Sequence, residues 1–224
     1  MVTDPALLRL LQLTSPSLPI GMYSYSQGLE RAVEDCWITN EQEAGEWISG
    51  LLSHNLSRID APILARLYDA WITDDAKTVR YWSRILLASR ETSELRAEDR
   101  QTGQALARLL VGLEHSKITL WLNDPETTFA TLFSYAAVSW KIPKSAAVSG
   151  YLWSWLENQI LCAVKLVPLG QLAGQRLLGD LAGQIPGLVA QAFSIADDDI
   201  GGSTFAMALA SSRHEIQYCR LFRS

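Results

Sequence analysis

Apolar positions recur at helical spacing along nearly the whole chain. Asp4-Pro5 reads as an N-cap and first helical position. Behind it, Leu7, Leu8 and Leu11 fall on one face before Pro16 stops the segment. Thr39 and Gln42 fit a capping box. Ala44, Trp47, Ile48, Leu51 and Leu52 then follow the i, i+3, i+4, i+7 pattern of an amphipathic helix. Asp60-Ala-Pro62 opens another helix, with Ile63, Leu64, Leu67, Tyr68 and Trp71 inward. Asp74 or Asp75 caps the next, which carries Val79, Trp82 and Leu86.

Glu91 to Leu113 reads as one long helix. Its first half is densely charged, and Leu106, Leu109 and Leu113 line the second. Glu91, Glu94 and Glu98 share a face, and Arg90 stands four residues before Glu94. That pattern predicts a solvated, ion-paired surface or a charged docking strip. Asp124-Pro125 predicts a helix start ahead of the stripe Phe129, Leu132, Phe133, Ala136, Ala137 and Trp140. Pro143 ends that segment. Ser145 to Val164 continues with Val148, Tyr151, Leu152 and Trp155. Leu169, Leu172, Ala173, Arg176 and Leu177 form a further face. Ile185-Pro-Gly187 breaks the chain before a short helix, residues 197–202 form a loop, and Thr204 to Ser211 form a last helix. No segment alternates with β-branched enrichment. The pattern predicts an all-α, single-domain bundle of roughly nine or ten helices.

Composition narrows the class. The chain has 224 residues, 48% of them apolar, enough to bury a substantial core. A net charge of -5 argues against nucleic acid and anionic membranes as partners. No apolar run is long enough to span a bilayer, and no basic-then-apolar leader is expected at the start. Cys36, Cys162 and Cys219 are scattered singly, which fits a reducing cytoplasm and predicts buried, inert thiols.

Candidate chemistry is sparse. Neither GxxxxGK[ST] nor a GxGxxG after a strand is present, so phosphate-cradling loops are missing. Gly170 and Gly174 predict close helix packing instead. His54, His115 and His214 lack Cys or His at ligand spacing. No nucleophile elbow appears. Asp197-Asp198-Asp199 raises one enzymatic alternative, a Mg-dependent helical enzyme, but no second acidic set accompanies it.

Two blocks are not what a plain bundle needs. In the first, Pro16 and Pro19 stiffen an extended connector and Gly21 marks a turn into Tyr23, Tyr25, Gln27, Gly28 and Glu30. The tyrosines suit either an interface or a core that satisfies their hydroxyls. Glu30 is either exposed decoration or a partner contact. In the second block, Pro168 must kink or restart a helix among Lys165, Gly170, Gln171, Gly174, Gln175 and Arg176.

Leu10-Leu-Gln-Leu-Thr-Ser-Pro-Ser-Leu-Pro-Ile-Gly21 followed by Tyr23-Ser-Tyr-Ser-Gln-Gly-Leu-Glu30 resembles the N-terminal signature of the urease accessory protein UreF family. Ala88-Ser-Arg-Glu-Thr92 with Glu94-Leu-Arg96 resembles its central signature. Asn158, Lys165 to Gln171 and Gly174-Gln-Arg176 resemble its third, and Arg220-Leu-Phe-Arg-Ser224 resembles its C-terminal tail. The matches run in order over nearly the whole chain. The resemblance implies a helical domain at residues 1–212 and a partner-binding tail at residues 213–224. It implies a non-enzymatic, cytoplasmic homodimer that binds UreD (also called UreH), recruits the GTPase UreG and assists or gates nickel delivery to apo-urease. Nickel and GTP would be handled by the complex, with no cofactor held by this chain. On that reading Arg220, Leu221, Phe222, Arg223 and Ser224 face UreD/UreH. Glu30, Lys165, Gln171, Gln175 and Arg176 face UreG. Pro16, Pro19, Gly21, Tyr25, Gly28, Pro168 and Gly170 shape the blocks.

Overall fold

The computed structural model describes residues 4–224; residues 1–3, where the leader reading and the predicted domain begin, lie outside the described residues. Among the described residues there are eleven α-helices and no strand, slightly more helices than the pattern predicts. In chain order they are α1 (Pro5–Thr14), α2 (Leu29–Glu34), α3 (Glu41–Leu51), α4 (Asp60–Ile72), α5 (Ala76–Ala88), α6 (Ser93–Gly112), α7 (Phe129–Ser139), α8 (Lys144–Leu166), α9 (Gln171–Ala182), α10 (Ile185–Ser194) and α11 (Phe205–His214). The core is built on α4, α7 and α8. Helices α5 and α6 pack on the α4–α7 side, α1, α2, α3, α9 and α10 pack around α8, and α11 lies on α2. Among the described residues, no helix is long and apolar enough to cross a membrane.

Side-chain caps fix five of the eleven helix starts. Asp4 accepts from Ala6 N, Asp75 from Lys77 N and Thr78 N, and Thr92 from Leu95 N. Two predicted starts move. Asn40, not Thr39, caps α3, and Glu43 reaches back to Thr39 N at 2.7 Å. Asp124 caps no helix. Its carboxylate is spent on Glu126 N and on Arg80, so α7 begins at Thr128–Phe129, where the Thr128 side chain accepts from Thr131 N. Pro186 also sits inside the first turn of α10, where its missing N–H costs nothing, and so does not break it.

Two predicted apolar faces turn outward. Leu7, Leu8 and Leu11 are half exposed, because α1 docks by another edge. Gly150 has no Cβ, so Leu10 and Thr14 settle directly onto α8 there, while Leu13 is buried. In α9 the buried line is Gly174, Leu178 and Leu181, and Leu172 faces outward. A Cβ on Gly174 would stand 2.6 Å from Val164 Cγ2, so the helices meet closest at that glycine, as expected. Gly170 has open space around it and serves as the α9 N-cap instead.

The charged half of α6 departs most from expectation. Glu98 and Asp99 are buried, and the Glu94 side chain is largely covered. Arg90 precedes the helix and turns inward rather than pairing with Glu94. Its Nη1 and Nη2 donate to both Asp60 oxygens at 3.1 and 2.6 Å, and its Nε donates to Asp99 at 2.9 Å. The face is ion-paired inside the protein, not across its surface.

Candidate partner interface

The last ten residues do not trail away. They lie across the first block and the buried face of α6. Arg223 N donates to Ser24 O at 2.8 Å, and Ser26 N donates to Ser224 O at 2.8 Å. Just before these strand-like contacts, one carboxylate anchors the chain: Glu30 accepts from Leu221 N at 2.7 Å and from Phe222 N at 2.8 Å. Charge-assisted bonds of this kind are roughly twice as strong as neutral ones. Glu94 holds the other end through Arg220 Nη1 at 2.7 Å. His214 is fully buried between the two acids, 2.7 Å from Glu94 and 3.4 Å from Glu30. Glu215 closes the start of the segment by accepting from Ser93 N and Oγ at the N-terminus of α6, where an acid is favoured.

The first block is shaped to receive this segment. Gly21 and Gly28 take φ of 76° and 82°, conformations that favour glycine. A Cβ at Gly28 would also crowd Ser211 N at 3.0 Å on α11. Leu18 and Ile20 plug the core, while Pro16 and Pro19 stay at the surface. Tyr25 is a core tyrosine: its hydroxyl donates to Gln101, and its carbonyl accepts from Asn158 Nδ2 at 2.9 Å. Burial, the main cause, raises the Tyr25 hydroxyl pKa.

Behind the tail, Glu98 accepts from Gln27 Nε2 at 2.7 Å and from Ser224 Oγ at 2.9 Å. Burial pushes its carboxyl up to about 7, against the opposing pull of those two donors. Trp155 Nε1 orients Gln27 from the other side at 2.7 Å. A cavity of about 50 Å³, lined in part by Gln27, Asp60, Arg90, Glu98 and Asp99, continues inward from here. That volume has room for ordered water, not for a small-molecule substrate.

The predicted tail residues therefore divide. Phe222 and Ser224 are buried against the protein's own core, whereas Arg220, Leu221 and Arg223 remain exposed. Leu221 is 65% exposed and forms the apolar tip of the segment. The residues assigned to a second face divide too. Glu30 is 7% exposed and fully engaged by the tail, so any influence on a partner passes through the tail. Lys165 is exposed, with Nζ 5.5 Å from the centre of the Phe222 ring, which joins the third block to the tail. Gln171, Gln175 and Arg176 are exposed on α9, beyond the Pro168 break, and bond to none of the tail residues. Glu94, Glu98 and His214 complete the latch, yet nothing in their spacing marks them. The one sequence signal was a dense run of charge in a helix that also has to pack.

The remaining candidates do not assemble into a site. Among the described residues, no three His, Cys, Asp or Glu side chains are arranged to hold a metal. Asp197 pairs with Arg66 at 2.9 Å on a single 3-10 turn. Only Cys162 is a buried thiol, pushed up to about 12 by burial; Cys36 and Cys219 are exposed, contrary to expectation.

A family model described as UreF matches residues 38–182. The chain is 51% identical to a urease accessory protein UreF of Alkalilimnicola ehrlichii, covering 99% of this chain and 98% of that one. It is 48% identical to one of Azoarcus sp. and 47% identical to one of Pseudomonas putida, each over the full length of both chains. These full-length matches include the first block and the tail, which lie outside the family-model match. The chain belongs to the UreF family of urease accessory proteins.

Proposed function

We propose that this chain is a non-enzymatic scaffold in urease maturation. It binds UreD/UreH through its tail, recruits UreG and assists GTP-dependent nickel insertion into apo-urease, working as a cytoplasmic homodimer. Nickel and GTP are cargo and fuel of the complex rather than cofactors of this chain. The observation that carries the reading is the tail itself. The first block, the central signature and the third block converge to hold residues 220–224 in one conformation, with Arg220 spent on Glu94 and with the Leu221 and Arg223 side chains left exposed. Pre-ordering a recognition segment removes much of the entropy cost of binding it. Arginine is enriched among the residues that dominate interface energetics.

Co-purification with cognate UreD/UreH tests this. Full-length chain is expected to bind, and a chain ending at Arg213 is expected not to. Because truncation also strips Glu30 of its donors, full-length Leu221→Asp serves as the second variant. It changes one exposed side chain and should reduce binding at least about tenfold, the effect of losing an interface anchor. Retained binding in both variants would remove the tail from the interface.

The same assay with UreG separates the second face. Arg176→Glu is expected to weaken UreG recruitment while leaving UreD/UreH binding intact, because Arg176 has no bond to the tail. Lys165→Glu is expected to weaken both, because Lys165 sits over Phe222. If Arg176→Glu recruits UreG normally, α9 does not face the GTPase.

A further inference from the structure

A cationic groove runs beside the tail on this acidic protein. One wall is the outer face of α6 and the other is the turn around Gly21, with Arg223 at the end; its volume is about 670 Å³. Arg100, Gln104 and Arg108 stand at i, i+4 and i+8 on α6, which places the two arginines about 12 Å apart along the helix. None of Arg100, Arg108 and Arg223 pairs with a carboxylate among the described residues. Elsewhere on the molecule, Arg31, Arg66, Arg80, Arg84, Arg90, Arg213 and Arg220 do, whereas Arg9, Arg58, Arg96 and Arg176 are not part of this groove and are likewise without a carboxylate partner among the described residues. No acidic residue lines the groove.

The arginines have little internal work. Arg100 Nε braces Pro125 O at 3.0 Å, Arg223 Nη1 reaches Gln101 at 3.5 Å, and the Arg108 side chain makes no hydrogen bond among the described residues. Gln104, by contrast, is consumed by the neighbouring turn, donating to Trp121 O and Asp124 O and accepting from Asn123 N. It keeps the wall straight and leaves the arginine forks free. Tyr23, 61% exposed, stands on the opposite wall.

We propose that this groove is a docking site for an acidic segment of a partner protein. Each free guanidinium offers a planar fork suited to a carboxylate. About 12 Å corresponds to three or four residues of extended chain, so Asp or Glu at that spacing meets both helix arginines. Tyr23 supplies the aromatic surface for an apolar residue between them. Three unpaired positive charges on a protein of net charge -5 fit an anionic partner.

The test uses the full-length chain and a fluorescein-labelled, Asp/Glu-rich extended peptide, followed by fluorescence anisotropy at low and high salt. Saturable binding that weakens with salt is expected. Arg100→Glu with Arg108→Glu should reduce it at least about tenfold, as opposed charges become like charges. Arg108→Glu alone removes no internal hydrogen bond and should give a smaller loss in the same direction, with an unchanged circular dichroism spectrum. No binding by the wild type, or equal binding by the double variant, overturns the proposal. So does tighter binding of a labelled single-stranded oligonucleotide, which would make the groove a phosphate site. If the double variant instead dissociates a dimer in sedimentation, the occupant is a second copy and the partner-segment assignment falls.

Discussion

Arg90→Met is expected to cost the fold about 3–5 kcal/mol, the usual penalty for breaking a buried ion pair from one side. Arg90 faces two buried acids. Asp60 is completely buried, and Asp99 is 5% exposed. Burial by itself would lower the pKa of the guanidinium. The facing charges of Asp60 and then Asp99 outweigh it and raise the pKa well above the normal arginine value. Tyr151 donates to Asp60 at 3.0 Å, and burial with that acid beside it raises its own pKa. Asp99 also holds Phe129 N at 2.8 Å, so the network fixes the start of α7. Removing Arg90 leaves two buried carboxylates without their cation. Urea denaturation of the single variant measures the loss, and a change below about 1 kcal/mol would show the pair to be worth no more than a surface bridge. The triple variant Arg90→Met, Asp60→Asn, Asp99→Asn should recover much of the stability, because the penalty lies in uncompensated charge rather than in missing attraction.

That network explains what the sequence concealed. Helix existence was plain, because the i, i+3, i+4 pattern is repeated in α3, α4, α5, α7 and α8 and is punctuated by Asp4, Asp75 and Pro143. The first and third blocks stood out because proline and glycine interrupt that pattern. The direction of a charged face did not. Glu94, Glu98 and Asp99 look like solvated residues until Arg90, His214 and the tail side chains of Arg220 and Ser224 come from 9 to 126 positions away to pair with them. Burial of charge is decided by such long-range partners, and local spacing carries no record of them. Likewise, Leu7, Leu8 and Leu11 read as a buried stripe, but the missing side chain of Gly150 decides which edge of α1 docks. Periodicity gives a helix an apolar face. The partner's shape selects which residues of that face are covered.

Glu98 should make the protein less stable as pH rises, opposite to the behaviour of a salt-bridged acid. In the unfolded chain its carboxyl returns to the ordinary 4.5, whereas in the folded protein burial lifts it to about 7. Below about 4.5 both states hold the proton, and the contribution is fully present. Between those values the native state binds one more proton than the unfolded state, so unfolding free energy falls by about 1.4 kcal/mol per pH unit. Across the window the loss sums to about 3 kcal/mol, and above about 7 it levels off. The strain falls on the tail, since Ser224 Oγ donates to this carboxylate and Ser224 O is held by Ser26. Any opening that admits water to Glu98 relieves it, so the tail is the part expected to loosen first. Glu98→Gln keeps the shape and removes the titration. Urea denaturation of both proteins from pH 5 to 8.5 isolates the effect, because every other titrating group is common to the pair. The wild-type curve should fall relative to the variant by about 3 kcal/mol between pH 5 and 8. Parallel curves would mean that Glu98 is ionised throughout this range and that the latch is held by a charged carboxylate.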